Sequence, residues 1–339
     1  MCSPINVPTE SDNSGAVATD FSKTITTGTT RSEYESYHED YLQYCEEQDL
    51  QAKRSVLHLT NYFISTQTKQ YIGIPNDWLW IVDELHKGNC LSTENIKLTL
   101  MKIKLNDNFV RLGNQFGIST AGASKIFQNS VPKLCHFLKT FIYCPPRESV
   151  KMALSIPFRA NFAHVYGIID CFEIQIEKPS NALQQSLTWS EYKKCNTLKY
   201  LICCTPDGFI NFISSGYGGR INDVELFEQC GIMDVLPKKC GIMADRGFKQ
   251  IQTSLNKIQC ELRRPPSVKS GGKSSKTEVM LTKRIASLRI YVERVIRRLR
   301  EFSLLEPHST LNHNIMPYID DVVRIVAALI NLQAPIIRT

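Results

Sequence analysis

The sequence predicts an α/β fold in which an all-helical region precedes a mixed sheet, and three observations support this prediction. Between residues 91 and 142, apolar residues recur at helical spacing, and Ser92, Gly117 and Ser119 stand where helix caps are expected. From residue 164 onward, short runs rich in β-branched residues alternate with turn signals. An apolar stripe at helical spacing then returns over residues 277–301. This order of elements is typical of a layered α/β domain.

Composition excludes several classes of protein. The chain has 339 residues, of which 42% are hydrophobic, so it can bury a large core without disulfides. No apolar run approaches the roughly 20 residues that span a bilayer, so no membrane partner is expected. The 12 cysteines lack the spacing of a zinc site and are predicted to be reduced, mostly buried thiols. The net charge is +7, and basic residues concentrate between Lys283 and Arg300, where Glu293 is the one acid.

The chain is expected to contain three regions. Residues 1–31 are rich in Ser, Thr and Gly and are predicted to form a disordered tail. Residues 32–145 form a helical region, with a helix-turn-helix pattern at about 91–138 and Gly117 in its turn. The second helix would present Thr120 and Lys125 outward. The same pattern is common in plain helical cores, so by itself it leaves DNA binding open.

Residues 160–335 are predicted to form the α/β domain. Strands are expected at 165–170, 198–203, 209–214, 240–244 and 259–263. The turn Pro206-Asp207-Gly208 joins the second and third of these as a hairpin. A helix is expected to begin at Asp223, and a basic, Gly-rich loop at 269–276 precedes the long helix. A last helix near 315–332 should cover the sheet.

Three carboxylates stand out against this framework. Asp170 and Asp245 are each expected to end a buried strand, where a carboxylate is costly unless it is solvated, paired or bound to a metal. Glu293 lies at the edge of the long helix's apolar stripe, with Arg289 and Arg297 four residues to either side. Taken singly, each acid is explained as a turn residue or half of a surface ion pair. All three in this order favour a shared site for Mg²⁺ or Mn²⁺, suited to phosphodiester cleavage.

From about residue 91 to residue 335, the chain resembles the PIF/Harbinger-type transposases, which are DDE superfamily endonucleases with an appended helix-turn-helix. Ile168-Ile169-Asp170-Cys171 resembles the first Asp motif of that family, and Ala244-Asp245-Arg246-Gly247-Phe248 resembles the second. Arg289-Ile290-Tyr291-Val292-Glu293-Arg294 resembles the Glu motif. Further blocks follow the family order: Leu91–Phe127, Pro145–Glu148, Asn196–Lys199, and Gly218-Gly219-Arg220 with Asp223.

The resemblance implies an RNase H-like mixed-sheet nuclease domain preceded by an all-helical helix-turn-helix domain. It implies that Asp170, Asp245 and Glu293 are catalytic ligands of Mg²⁺ or Mn²⁺, with Asp223 as a secondary acid that supports either the metal site or the turn. DNA is the expected partner, and the nucleus is the expected location. A separate DNA-binding protein and a second copy of this chain are further candidate partners. The residues expected to contact DNA are Lys199, Arg220, Arg246, Arg289, Arg294, Arg297, Thr120 and Lys125.

Two alternatives stay open at this point. In the first, the chain is a domesticated DNA-binding or adaptor protein that has lost catalysis, and the triad is a relic. In the second, it is a structural protein without a nucleic-acid role, which requires the ordered series of motifs to be a coincidence. Metal affinity and DNA cleavage discriminate the nuclease from the first alternative, and DNA binding discriminates it from the second.

Overall fold

A computed structural model describes residues 31–89, 91–266 and 275–336. The chain divides into two compact units, Met1–Ser55 and Val56–Thr339. The predicted disordered tail lies outside the described residues except for Arg31, and so does most of the predicted basic loop. Over the described ranges, no helix combines the length and the apolar character needed to cross a membrane.

Before the first strand, the described chain consists mainly of helices and the loops that join them. They are α1 (Arg31–Thr66), α2 (Thr68–Ile72), α3 (Ile81–Asn89), α4 (Thr93–Leu105), α5 (Phe109–Phe116), α6 (Thr120–Leu138), α7 (Arg147–Met152) and α8 (Ile156–Asn161). The predicted caps are confirmed. The Ser92 hydroxyl accepts the Asn95 N–H at 3.2 Å, and the Ser119 hydroxyl accepts the Gly122 N–H at 3.1 Å. Gly117 ends α5 with φ of 66°, a left-handed conformation that favours glycine.

The α5–α6 pair has the predicted helix-turn-helix geometry and packs through its apolar face. Leu112 of α5 and Ala123 and Phe127 of α6 are buried in the larger hydrophobic core. The opposite side of α6 stays in solvent, and both Thr120 and Lys125 are exposed. The helix therefore has one face committed to packing and another available to a ligand.

The sheet is mixed, and β1 lies at its centre. Its strands are β1 (Val165–Gln175), β2 (Trp189–Ser190), β3 (Cys195–Cys204), β4 (Ile210–Ile213), β5 (Tyr217–Gly218), β6 (Gly241–Met243) and β7 (Glu261–Arg263). β1 pairs antiparallel with β3 and parallel with β6, and β6 pairs parallel with β7. The far edge of β3 pairs in turn with β2, β5 and β4. The β3–β4 hairpin is confirmed, with Gly208 in its turn at φ of 94°.

The expectation that Asp170 ends its strand is wrong. β1 continues to Gln175, and Asp170 lies in its middle, opposite Ile202 of β3. The reason is visible in the residues that follow, because Phe172 and Ile174 keep the period-2 apolar alternation of a half-buried strand. Antiparallel pairing with the long β3 then satisfies the backbone along this extension.

A short helix, α9 (Ala182–Thr188), precedes β2, and further helices cover both faces of the sheet. On one face, α13 (Lys276–Leu299) and α14 (Ile319–Asn331) share a core with Ile168 of β1. On the other face, α10 (Asp223–Gln229), α11 (Ile232–Val235) and α12 (Gln252–Lys257) adjoin a second core that contains Ile169. This layered arrangement with its mixed sheet is consistent with an RNase H-like fold preceded by helices. The ten cysteines in the described ranges are free thiols, and only Cys45 among them is exposed.

Candidate active site

Asp170 is a carboxylate held inside the protein. Its side chain is 22% exposed, and one oxygen accepts the N–H of Cys171 at 2.9 Å. Burial raises the pKa of Asp170 to about 6, because the charged form loses its hydration. The Cys171 N–H and the Arg289 charge oppose this rise in pKa, whereas the negative charges of Asp245 and Glu293 add to it. The site therefore concentrates negative charge around a poorly hydrated carboxylate.

Asp245 reaches the same face of the sheet from the neighbouring strand. The parallel pairing of β1 and β6 places Ile168 opposite Met243, so Asp170 and Asp245 each lie two residues beyond that pair. Because side chains alternate along a strand, both carboxylates are expected on the face that α13 covers. The side chain of Asp245 is 51% exposed, so this end of the site is open to solvent.

Glu293 is positioned by α13. The helix packs on the sheet through a buried stripe that includes Leu288, Val292 and Val295. Glu293 is exposed beside this stripe, and its charge acts on Asp170. Even so, over residues 31–89, 91–266 and 275–336, no three His, Cys, Asp or Glu side chains form a group that could hold a metal ion. The three acids share one region of the protein without forming a preassembled metal-ion site.

Arg289 occupies the region between the two aspartates. Its Nη1 lies 3.0 Å from Asp245 Oδ1, and its Nη2 lies 3.7 Å from Asp170 Oδ2. The guanidinium is 13% exposed and comes from the helix that carries Glu293, one turn earlier. Sequence analysis assigned Arg289 to DNA contact and missed this pairing with the aspartates. Its four-residue spacing from Glu293 placed it on the same face of the helix, but no spacing signal connected it with the aspartates.

A second charged cluster lies against β3. Lys199 Nζ is 3.6 Å from Glu173 and 3.3 Å from Asp223, and it donates to the Ile221 carbonyl at 2.8 Å. Thr197 also donates to Glu173, at 2.8 Å. Lys199 and Glu173 are only 12% and 9% exposed, so the network is largely internal. Sequence analysis did not identify Glu173 or Thr197 as members of it.

This placement bears on two of the predicted site residues. The Lys199 ammonium is committed to internal partners rather than presented to solvent. Asp223 lies beside Lys199. Burial, and then the negative charge of Asp223, raises the pKa of Cys171, whose side chain packs against the core on the other face of β1. Asp223 begins α10 and also lies near Gly247, which follows Asp245 by two residues, and its place at a metal site stays a prediction.

The remaining predicted DNA contacts are exposed. Arg220, Arg246, Arg294 and Arg297 all reach solvent, as do Thr120 and Lys125 on α6. The Arg294 guanidinium lies 5.7 Å from the centre of the Tyr291 ring, and Arg220 donates to the Ser186 hydroxyl at 2.7 Å. These cations can approach a polyanion without breaking a buried contact.

Comparisons with known proteins match both parts of this architecture. The family model described as "DDE superfamily endonuclease" matches residues 169–331, which include all three acids. The model described as "Helix-turn-helix of DDE superfamily endonuclease" matches residues 93–140. The two ranges together cover more than half of the chain. No solved structure gives a significant match.

Several curated proteins that are similar to this chain are named "Putative nuclease HARBI1". The protein from Rattus norvegicus is 22% identical over 210 residues, or 56% of this chain and 59% of that relative. The protein from Bos taurus is 23% identical with the same coverage, and that from Homo sapiens is 23% identical over 190 residues, or 51% and 54%. The chain thus spans less than two thirds of the relatives it matches. With the endonuclease and helix-turn-helix models matched in family order, the chain belongs to the DDE superfamily endonucleases that carry an N-terminal helix-turn-helix.

Proposed function

We propose that this protein is a transposase-derived DNA endonuclease that cleaves phosphodiester bonds with Asp170, Asp245 and Glu293 and a divalent metal ion. The observation that carries the proposal is that the charges of Asp245 and Glu293 both act on Asp170, and that both aspartates share one cation. Asp170 and Asp245 contact the same guanidinium, and Glu293 follows that arginine by one turn of α13.

The donor set fits Mg²⁺ or Mn²⁺. Both ions prefer hard oxygen ligands and bind through a few carboxylates with water and phosphate completing the shell. Asp170 is buried and repelled by the other two acids, so a cation beside it relieves an unfavourable charge arrangement. A divalent ion bound there supplies activation of the attacking oxygen and charge stabilisation of the leaving oxygen.

The protein's own residues bind and orient the DNA. Arg246 and Arg294 are exposed within one residue of Asp245 and Glu293, so their charges can hold phosphates close to the scissile bond. Thr120 and Lys125 on α6 provide a second contact region in the helix-turn-helix. Binding through such cations weakens as salt increases, because released counterions contribute to affinity.

Asp245→Asn tests catalysis directly, because Asp245 is half exposed and the amide keeps its size. Nicking of supercoiled plasmid in Mg²⁺ or Mn²⁺ should disappear, whereas duplex binding measured by fluorescence anisotropy should persist. Asp234→Asn, an exposed acid on α11, is the matched control and should nick as the parent does. Nicking that survives in Asp245→Asn refutes the assignment.

Lys125→Ala tests the helix-turn-helix. Removing one phosphate-contacting cation should weaken binding to all duplexes and reduce the slope of log affinity against log salt by about 1. An unchanged salt slope would show that α6 does not face the DNA backbone.

A second candidate is a DNA-binding or adaptor protein without catalysis. One observation favours it: Arg289 already pairs with both aspartates, and the described acids form no metal-binding group. Duplex binding without metal affinity and without cleavage in any divalent ion would support this candidate.

The proposal also covers the location of the protein in the cell and its partners. A DNA substrate implies the nucleus, which imaging of a fluorescent fusion tests. A separate DNA-binding protein and a second copy of the chain remain candidate partners, and light scattering of the purified chain with and without DNA reports self-association.

A further inference from the structure

Arg289 makes an unusual pair of contacts for a buried arginine. Its Nη1 and Nη2 point to different carboxylates, Asp245 at 3.0 Å and Asp170 at 3.7 Å, so neither acid receives a bidentate pair. The Nε is buried and has no hydrogen-bond partner among the described residues. Arginine–carboxylate pairs are frequently bidentate, with the planar fork placed on one carboxylate. Charge, rather than complete hydrogen bonding, therefore holds this guanidinium in place.

The balance of charges in this region also indicates that electrostatic attraction holds Arg289 in place. Three negative charges lie in this region, on Asp170, Asp245 and Glu293. Among the described residues, Arg289 is the cation that contacts two of these acids. One positive charge leaves the group net negative. A divalent cation would compensate it more fully.

The guanidinium and a divalent cation compete for the same two carboxylates. Mg²⁺ sits about 2.0–2.1 Å from its oxygen ligands, so an ion held by Asp170 and Asp245 would lie in the region that the Arg289 guanidinium now occupies. Asp170 Oδ1 accepts the Cys171 N–H, and Oδ2 lies 3.7 Å from Arg289 Nη2. Two cations sharing these oxygens would also repel each other.

We infer that Arg289 is an internal substitute cation that holds Asp170 and Asp245 together in the metal-free protein and withdraws when a divalent ion binds. This inference rests on the proposed metal site. The apparent metal affinity is then lowered by the fraction of molecules in which the guanidinium occupies the carboxylates. Arg289 is therefore a positioning residue that occupies the metal site while no metal ion is bound.

The test compares the full-length chain with Arg289→Gln. Lys283→Gln is the matched control, because it removes one positive charge from an exposed position on the same helix. Mn²⁺ binding is measured by isothermal titration calorimetry without DNA. If the guanidinium occupies the site in about nine molecules of ten, Arg289→Gln should bind Mn²⁺ about tenfold more tightly than the parent. Lys283→Gln should bind as the parent does.

A measurement on the unmodified protein covers the case in which Arg289→Gln fails to fold. Phenylglyoxal labels accessible arginines, and peptide mass spectrometry quantifies the label at each position. Labelling of Arg289 should rise when Mn²⁺ is added, relative to exposed Arg297 on the same helix.

The outcomes separate this inference from the proposed function. Mn²⁺ binding by the parent with equal or weaker binding by Arg289→Gln overturns the inference and leaves the metal site standing. Unchanged or reduced labelling of Arg289 on metal binding overturns it as well. Absence of Mn²⁺ binding in both proteins overturns the proposed metal site and the inference together.

Discussion

Lys102 on α4 is a buried cation whose cost to folding depends on pH. It is 5% exposed, and its Nζ donates to Asn106 Oδ1 at 2.9 Å and to the Asp107 carbonyl at 2.8 Å. The Asp107 carboxylate is engaged by Arg111 at 3.0 Å. Burial lowers the pKa of Lys102 from 10.5 to about 8, and the charge of Asp107 offsets this only in part.

The sign of the effect follows from proton binding. Because the pKa of Lys102 is lower in the folded state, the unfolded chain holds more protons between pH 8 and 10.5. The free energy of unfolding therefore rises with pH through that window, and below it the full cost of burying the charge applies. With these two pKa values, the gain is about 1 kcal/mol between pH 7 and 9 and about 2–3 kcal/mol by pH 10.

Urea unfolding of the parent and of Lys102→Met, in reductant at pH 7, 8 and 9, measures this gain. Other titrating groups are common to both proteins, so the difference between their unfolding free energies isolates Lys102. Loss of the hydrogen bond to Asn106 shifts the difference by a constant amount and leaves its pH dependence intact. Lys97→Met, on the same helix, shows what removing another lysine does. A difference that stays constant within about 0.3 kcal/mol from pH 7 to 9 refutes the reasoning.

Three further substitutions test the packing. Phe127→Ala should lower the free energy of unfolding by about 3–5 kcal/mol, because this ring is fully buried against Tyr318; a loss under about 1 kcal/mol would contradict that packing. Gly219→Ala should cost about 1–3 kcal/mol in the same assay, since a Cβ would lie 2.0 Å from Thr197 Oγ1, and an unchanged unfolding midpoint would argue against it. Ser275→Ala removes the α13 capping box and should lower helix stability by about 1 kcal/mol, whereas an unaltered melting temperature would exclude a contribution from the cap.

Local signals in the sequence determined most of the secondary structure. Ser92, Gly117 and Ser119 cap their helices as predicted, because a cap depends on the chemistry of a few neighbouring residues. The turn before Phe209 and the start of α10 at Asp223 were predictable for the same reason. The order of the motifs around the acids was enough to identify the family.

Tertiary structure decided what those elements do to one another. The extension of β1 past Asp170 depends on pairing with β3, which is distant in sequence. Folding commits Lys199 to Glu173 of β1 and to Asp223 at the start of α10, which are distant from it in sequence. Arg289 is paired with two aspartates instead of facing solvent because α13 packs its apolar stripe onto the sheet. Such pairings depend on non-local burial and on competition among charges, and neither is encoded in the spacing of residues along the chain.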